Sequence, residues 1–184
     1  MADKIVETAK AINADMIVMG TKGATNALER WLGTNSQSIM KKAECPVWII
    51  PETAEIKHPI EIMYAADFKE DEITATHKII NISKALGASC RVIHVHENFT
   101  PNINHTMEAT EATLKEEFKN EDVIFRHINR ADVTKGLDKY IETHKPDILA
   151  MAIEEKSFFN KIFDTSITNH FVFGAKLPII TFKK

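Results

Sequence analysis

The chain has little glycine and little cysteine, six and two among 184 residues. Two cysteines cannot build a disulfide scaffold, and neither lies in the ligand spacing that marks a zinc site. Long apolar runs are also missing. Met16–Met19, Val47–Ile50 and Leu177–Ile180 are strand-length, against the roughly 20 residues that cross a bilayer as a helix. No charge of one sign prevails: 23 basic against 26 acidic residues leave a formal charge of -3. That balance removes the electrostatic footprint of a nucleic-acid or anionic-membrane binder.

What remains is ordinary globular material, 44% hydrophobic and 27% charged, enough for one domain or for a domain and a fragment. Met1-Ala2-Asp3-Lys4-Ile5 has neither the basic nor the apolar region of a signal peptide. Cys45 and Cys90 carry no motif that would activate them and suit a reducing compartment. The expected location is the cytoplasm.

The sequence repeats itself. Ala14-Asp15-Met16-Ile17-Val18-Met19 aligns with Pro146-Asp147-Ile148-Leu149-Ala150-Met151, and Cys45-Pro46-Val47-Trp48-Ile49-Ile50 with Leu177-Pro178-Ile179-Ile180-Thr181-Phe182, both at an offset of 132. A period of that size is a domain rather than a solenoid unit. Met1 maps onto Val133, so the 75 residues His58–Asp132 have no counterpart ahead of it. The expected organisation is the back half of a first domain at 1–52, a linker at 53–59 and a complete second domain at 60–184.

Strand-like runs alternate with helix-period stretches, the pattern of β-α-β units around a parallel sheet. The second copy reads as strand Ile60–Ala65, a helix over Asp71–Leu86 with Ile79, Ile82 and Leu86 on one face and Gly87 as cap, and strand Arg91–Val95. Helix Thr106–Lys119 follows with Met107, Leu114 and Phe118 inward, then strand Val123–Ile128. Asp132 caps a helix burying Val133, Leu137, Tyr140, Ile141 and His144, and strand Ile148–Met151, a helix near Thr165–Phe173 and strand Pro178–Phe182 complete the series. The first copy keeps helix Asp3–Ile12, strand Met16–Met19, helix Asn35–Ala43 and strand Val47–Ile50.

Between that first strand and the helix after it lies Gly20-Thr21-Lys22-Gly23, nine residues, then Gly33-Thr34-Asn35-Ser36. Phosphate needs inward-pointing backbone N–H groups with no side chain in the way and a helix N-terminus facing the anion. Gly20, Gly23 and Gly33 supply clearance, Thr34 and Ser36 hydroxyls, Asn35 an N–H at the helix start and Lys22 a mobile cation. On spacing alone the same glycines also serve as turn and cap residues.

Asp15-Met16-Ile17-Val18-Met19-Gly20, the spaced glycines, Gly33-Thr34 and Cys45-Pro46-Val47 together resemble the ATP-binding signature of the universal stress protein family. The resemblance implies an α/β fold: a doubly wound, parallel, five-stranded sheet of order 3-2-1-4-5 with helices on both faces, preceded here by a β-α-β half-domain. It implies ATP, with magnesium only as its companion, at the carboxyl ends of strands one and four. Met19, Gly20, Lys22, Gly23, Gly33, Thr34, Asn35 and Ser36 match the ribose and phosphate positions, and Asp67 of the second copy a position on the adenine side. It further implies pairing of last strands, Val47–Ile50 with Pro178–Phe182.

In the second copy the offset puts Ala152, Glu155 and Thr165 where Gly20, Gly23 and Gly33 stand, with Glu154 adding negative charge, so that loop is not expected to hold phosphate. Lys156–Phe163 turns apolar, which suits core packing or a partner. His94 and His96 share a strand face without diagnostic ligand spacing, and His94 reads as a satisfied core histidine. These features define a stress-responsive ATP-binding regulator with no catalytic residues assigned. The alternatives are a nucleotide-independent dimerisation scaffold and a slow ATP hydrolase. The exposed edge of strand Met16–Met19 points to a homo-oligomer through strand pairing.

Overall fold

The computed structural model describes residues 1–20, 34–55, 57–68, 72–96, 105–153 and 177–184. The elements in chain order are α1 (Ala2–Ala11), β1 (Ile17–Gly20), α2 (Thr34–Lys42), β2 (Val47–Ile50), β3 (Glu61–Ala66), α3 (Glu72–Ala85), β4 (Ser89–His96), α4 (His105–Glu117), β5 (Val123–Asn129), α5 (Val133–His144), β6 (Ile148–Ile153) and β7 (Ile179–Lys183). Packing divides the chain into two compact units, Met1–Ile56 with Met151–Lys183, and Lys57–Ala150 with Lys184. This partition follows contacts and differs from the division at 52 and 60 expected from the sequence offset. The helix expected near Thr165–Phe173 and the apolar run Lys156–Phe163 lie outside the described residues.

In the first unit β1 and β2 pair in parallel, Ile17 opposite Val47 and Gly20 opposite Ile50. β2 then pairs antiparallel with β7, Val47 opposite Thr181, Trp48 opposite Ile180 and Ile49 opposite Ile179. This pairing is symmetric under the sequence offset of 132. Trp48 and Ile180 are equivalent positions, and the flanking pairs exchange equivalents, which is the isologous geometry two like edges adopt. Helices α1 and α2 are joined at the surface by Lys10–Glu44 at 2.7 Å and by Lys42–Asp3. Ile39, Met40 and Ala43 of the α2 segment are buried, as are Val47 and Ile49 of β2.

The second unit is built on β3, β4 and β5, parallel throughout, with Glu61 opposite Ser89 and Cys90 opposite Val123 at the start of each register. The first residues of β6 neighbour β3. Ile62, Met63 and Tyr64 are all completely buried in succession, the mark of a parallel strand covered on both faces. Asp132 caps α5 by accepting the Lys135 N–H at 3.0 Å. Gly87, at φ +63°, ends α3 in a left-handed cap: its N–H donates to Lys84 O at 3.0 Å and that of Ala88 to Ser83 O at 2.9 Å. At Gly136 an added Cβ would stand 2.8 Å from Val95 Cγ1, so α5 approaches β4 closely because that residue has no side chain.

The α/β class with a mostly parallel sheet stands. The strand order differs in extent from the expected five. Within the first unit β7 does not close an edge, because β2 adds to it antiparallel, the pairing of last strands that the resemblance implies, and β1 adds to β2. Two faces also differ from the expected ones. The buried face of α3 runs through Thr76, Ile79, Ile80 and Ser83, with Ile82 and Leu86 only half-buried. Ile80 is drawn inward by β-sheet on one side of the helix, a rotation the even spread of apolar residues around it permits. His144 is exposed instead of buried; its ring stacks on that of Tyr140 at 3.9 Å and its Nδ1–H donates to Tyr140 O at 3.1 Å.

Candidate functional site

In sequence the glycine loop runs from the end of β1 to the start of α2. Met19 is half-buried and Gly20 exposed at the end of β1. Thr34 opens α2, with Asn35 exposed and Ser36 buried behind it at 5% exposure. Lys22, Gly23 and Gly33 lie outside the described residues. The first turn of α2 carries no acidic residue and its last turn carries Lys41 and Lys42, so the helix dipole is complemented at its C-terminal end.

Gly20 has room around it. It has no left-handed φ, and a Cβ there would meet among the described residues only Ile50 O, at 3.9 Å, ordinary contact. Neither backbone geometry nor packing in the described residues requires glycine at that place. A group approaching the backbone from outside would require it, so the position fits a phosphate cradle.

Asp67 belongs to the second unit, directly after β3, and heads a buried polar cluster. Lys184 Nζ lies 2.5 Å from Asp67 Oδ1 and 3.0 Å from Glu72 Oε2, while the Tyr64 hydroxyl donates to Glu72 Oε1 at 2.6 Å. The Glu72 side chain is fully buried and that of Lys184 nearly so, at 7% exposure. Burial, and then the hydrogen bond with Asp67, push the Glu72 carboxyl above the usual range against the opposing pull of Tyr64 and Lys184. Burial works to lower the Lys184 ammonium, but Asp67 and Glu72 outweigh it and hold it above its ordinary value. Asp67 therefore already has a cation, and an adenine amine reaching it competes with Lys184. Phe68 turns the chain here at φ 52° and packs its buried ring 5.0 Å from His94.

Sequence reasoning passed over Lys184, Glu72 and Tyr64. Lys184 and Glu72 are 112 residues apart, and the one local signal is an acidic residue opening α3. His94 is the satisfied core histidine expected, its Nδ1–H donating to Ala66 O at 2.9 Å. Burial pushes the Cys90 thiol up to about 12, so it is inert, and half-buried Cys45 is raised in the same way. Among the described residues no group of three potential metal ligands forms, and no helix is long and apolar enough to cross a membrane.

Comparison with known proteins follows from this geometry. Residues 1–51 match the universal stress protein family. A universal stress protein of Methanocaldococcus jannaschii is 43% identical over 49 residues, which span 27% of this chain and 29% of that relative. Among solved structures, a universal stress protein of Archaeoglobus fulgidus superposes with a TM-score of 0.74 at 18% identity, covering 99% of this chain and 66% of its own. A universal stress protein solved in complex with cAMP gives a TM-score of 0.52 at 13% identity over 68% of this chain and 98% of its own. Residues 1–51 thus resemble the universal stress protein family in sequence, and the whole chain shares the fold of the solved members. It spans less than a third of the curated relative it matches and just under two-thirds of the Archaeoglobus chain.

Proposed function

We propose that the protein is an ATP-binding regulatory module of the stress response, acting in the cytoplasm, in which Gly20 and the start of α2 receive the phosphates. The observation that carries this reading is Gly20, a glycine that the described packing leaves without an internal reason. Met19, Lys22, Gly23, Gly33, Thr34, Asn35 and Ser36 complete the cradle: the glycines give clearance, Lys22 a point charge, and the α2 amides and hydroxyls direct hydrogen bonds. The bound nucleotide supplies charge and shape that bias conformation. No residue here is assigned to its chemistry. The likeness to a protein that binds cAMP adds support for a nucleotide as ligand.

The tandem organisation belongs to the same proposal. At the offset of 132, α1 falls on α5, β1 on β6 and β2 on β7. The symmetric β2–β7 pairing is what two copies of one domain meeting edge to edge produce. A scaffold reading is favoured by one observation, that Asp67 is already engaged by Lys184. Mass spectrometry of the heat-denatured supernatant separates the two. ATP recovered from the intact chain and lost on Gly33→Asp supports binding, whereas no nucleotide, and no response to added ATP with magnesium in calorimetry, supports the scaffold.

A further inference from the structure

Two carboxylates of the second unit meet on one ammonium. Lys184 Nζ lies 2.5 Å from Asp67 Oδ1 and 3.0 Å from Glu72 Oε2. The Glu72 side chain has no exposed surface, and that of Asp67 is 38% exposed. Asp67 and Glu72 also hydrogen-bond to each other, and two carboxyl groups do so only with a proton between them. Removing that proton sets a second negative charge beside the first, while Lys184 brings a single positive one.

The other members of the cluster keep their protonation states. The Tyr64 hydroxyl donates to Glu72 Oε1 at 2.6 Å. Burial first, and the charge of Glu72 after it, hold that hydroxyl well above its ordinary pKa, so it stays a donor. Lys184 is held above its ordinary value by the two carboxylates and stays a cation. The Cys90 thiol of β4, which acts on Tyr64 from the neighbouring strand, stays neutral because burial pushes it up to about 12. The labile proton is therefore the one between Asp67 and Glu72. Asp67 directly follows β3 and Glu72 opens α3, with Phe68 turned at φ 52° after Asp67. A proton held by both side chains joins the two elements.

We propose that Asp67 and Glu72 share one proton and form a pH-sensitive clasp, with Lys184 and Tyr64 as its constant members, that ties the start of α3 to the residue after β3. Below its midpoint the clasp holds one carboxylate charge against one ammonium and is neutral. Above it Asp67 and Glu72 are both ionised and repel across Lys184, and the tie loosens. A proton favoured by the fold contributes stability that is full below the unfolded pKa and is lost as pH rises through the folded one. The clasp needs no nucleotide and is tested without it.

The test is carbon-13 NMR of the side-chain carboxyls in the full chain, each carbon assigned by correlation to its own backbone and followed with pH. Glu72 should titrate with a midpoint above the ordinary glutamate range. Asp67 should show a step at the same pH, because a shared proton leaves both groups together. Thermal melts give a second reading. In Glu72→Gln the amide oxygen accepts from Tyr64 and the amide nitrogen donates to Asp67, which copies the protonated form at every pH. The parent's melting temperature should fall as pH rises through the midpoint, and Glu72→Gln should lack that fall. Glu72 titrating in or below the ordinary range, Asp67 showing no step where Glu72 does, or an equal fall in parent and variant overturns the proposal. Should Glu72→Gln not fold, the two carboxyl titrations of the parent decide by themselves.

Discussion

Tyr64 donates its hydroxyl to Glu72 Oε1 at 2.6 Å inside the second unit, and the other oxygen of the same carboxylate meets Lys184. A carboxylate without exposed surface is tolerable there only because both oxygens are engaged. Lys184→Met removes the cation and leaves the buried Glu72 with Tyr64 and Asp67, neither of them positively charged. The expected loss near neutral pH is roughly 3–5 kcal/mol, the range for breaking one side of a buried pair.

The pH dependence of that loss follows from the sign of the shift. The Glu72 carboxyl already titrates above its ordinary range, and without Lys184 it rises further. A carboxyl raised in the folded state contributes stability that is present below its unfolded pKa and lost as pH rises through the folded one. The Lys184→Met penalty should therefore shrink on acidification toward about pH 5. Urea melts at two pH values measure it, and an equal penalty at both removes the ionised pair as its source.

Asp147 behaves in the opposite sense. Burial works to raise its pKa, but Lys57 and the Ile60 and Glu61 amides prevail and hold it below the usual carboxylate range. Its contribution is present above the unfolded value of about 3.9 and disappears as pH falls through the folded one. Asp147→Ala should cost about 2–3 kcal/mol at pH 7, since hydrogen bonds to a charged group are lost and two strand amides stay behind. Asp15→Ala, at the equivalent exposed position, should change stability by less than about 0.5 kcal/mol. Parallel thermal melts of the two variants check the contrast, and equal losses would contradict it.

Gly136→Ala tests the close approach of α5 to β4. The new methyl would lie 2.8 Å from Val95 Cγ1 and 3.4 Å from Arg130 Cγ. Alanine favours a helix over glycine by roughly 0.5–1 kcal/mol, and overpacking costs about 1–3 kcal/mol. The clash should win, with net destabilisation. Adding Val95→Ala should restore much of what Gly136→Ala loses, as measured in a double-mutant cycle.

These outcomes rest on contacts of unequal legibility in the sequence. Strands β1 and β6 were readable from the apolar runs after Asp15 and Asp147, and β2 and β7 from those after Pro46 and Pro178. Asp132 and Gly87 were readable as caps because capping is local chemistry. The face of α3 was not, since Ile79, Ile80 and Ile82 surround the helix and only the packed sheet chooses among them. The Lys184–Glu72 pair was not, because nothing near either residue encodes a partner 112 positions away. Within the candidate site, the sequence marked all the glycines alike, and only the structure shows the space around Gly20.

That space makes Gly20→Ala the sharpest probe of the loop. The added methyl meets Ile50 O at 3.9 Å and otherwise nothing among the described residues, and the backbone there is not left-handed. Alanine should therefore be neutral to stability or raise it by up to about 1 kcal/mol through the unfolded chain. If the backbone at Gly20 lies against phosphate, the same methyl enters the ligand's volume, and ATP affinity should fall by about tenfold or more, 1.4 kcal/mol being tenfold. Calorimetric titration beside a thermal melt reads both quantities on one sample. Unchanged affinity with unchanged melting would remove Gly20 from the cradle, and a lower melting temperature would return it to the structural glycines.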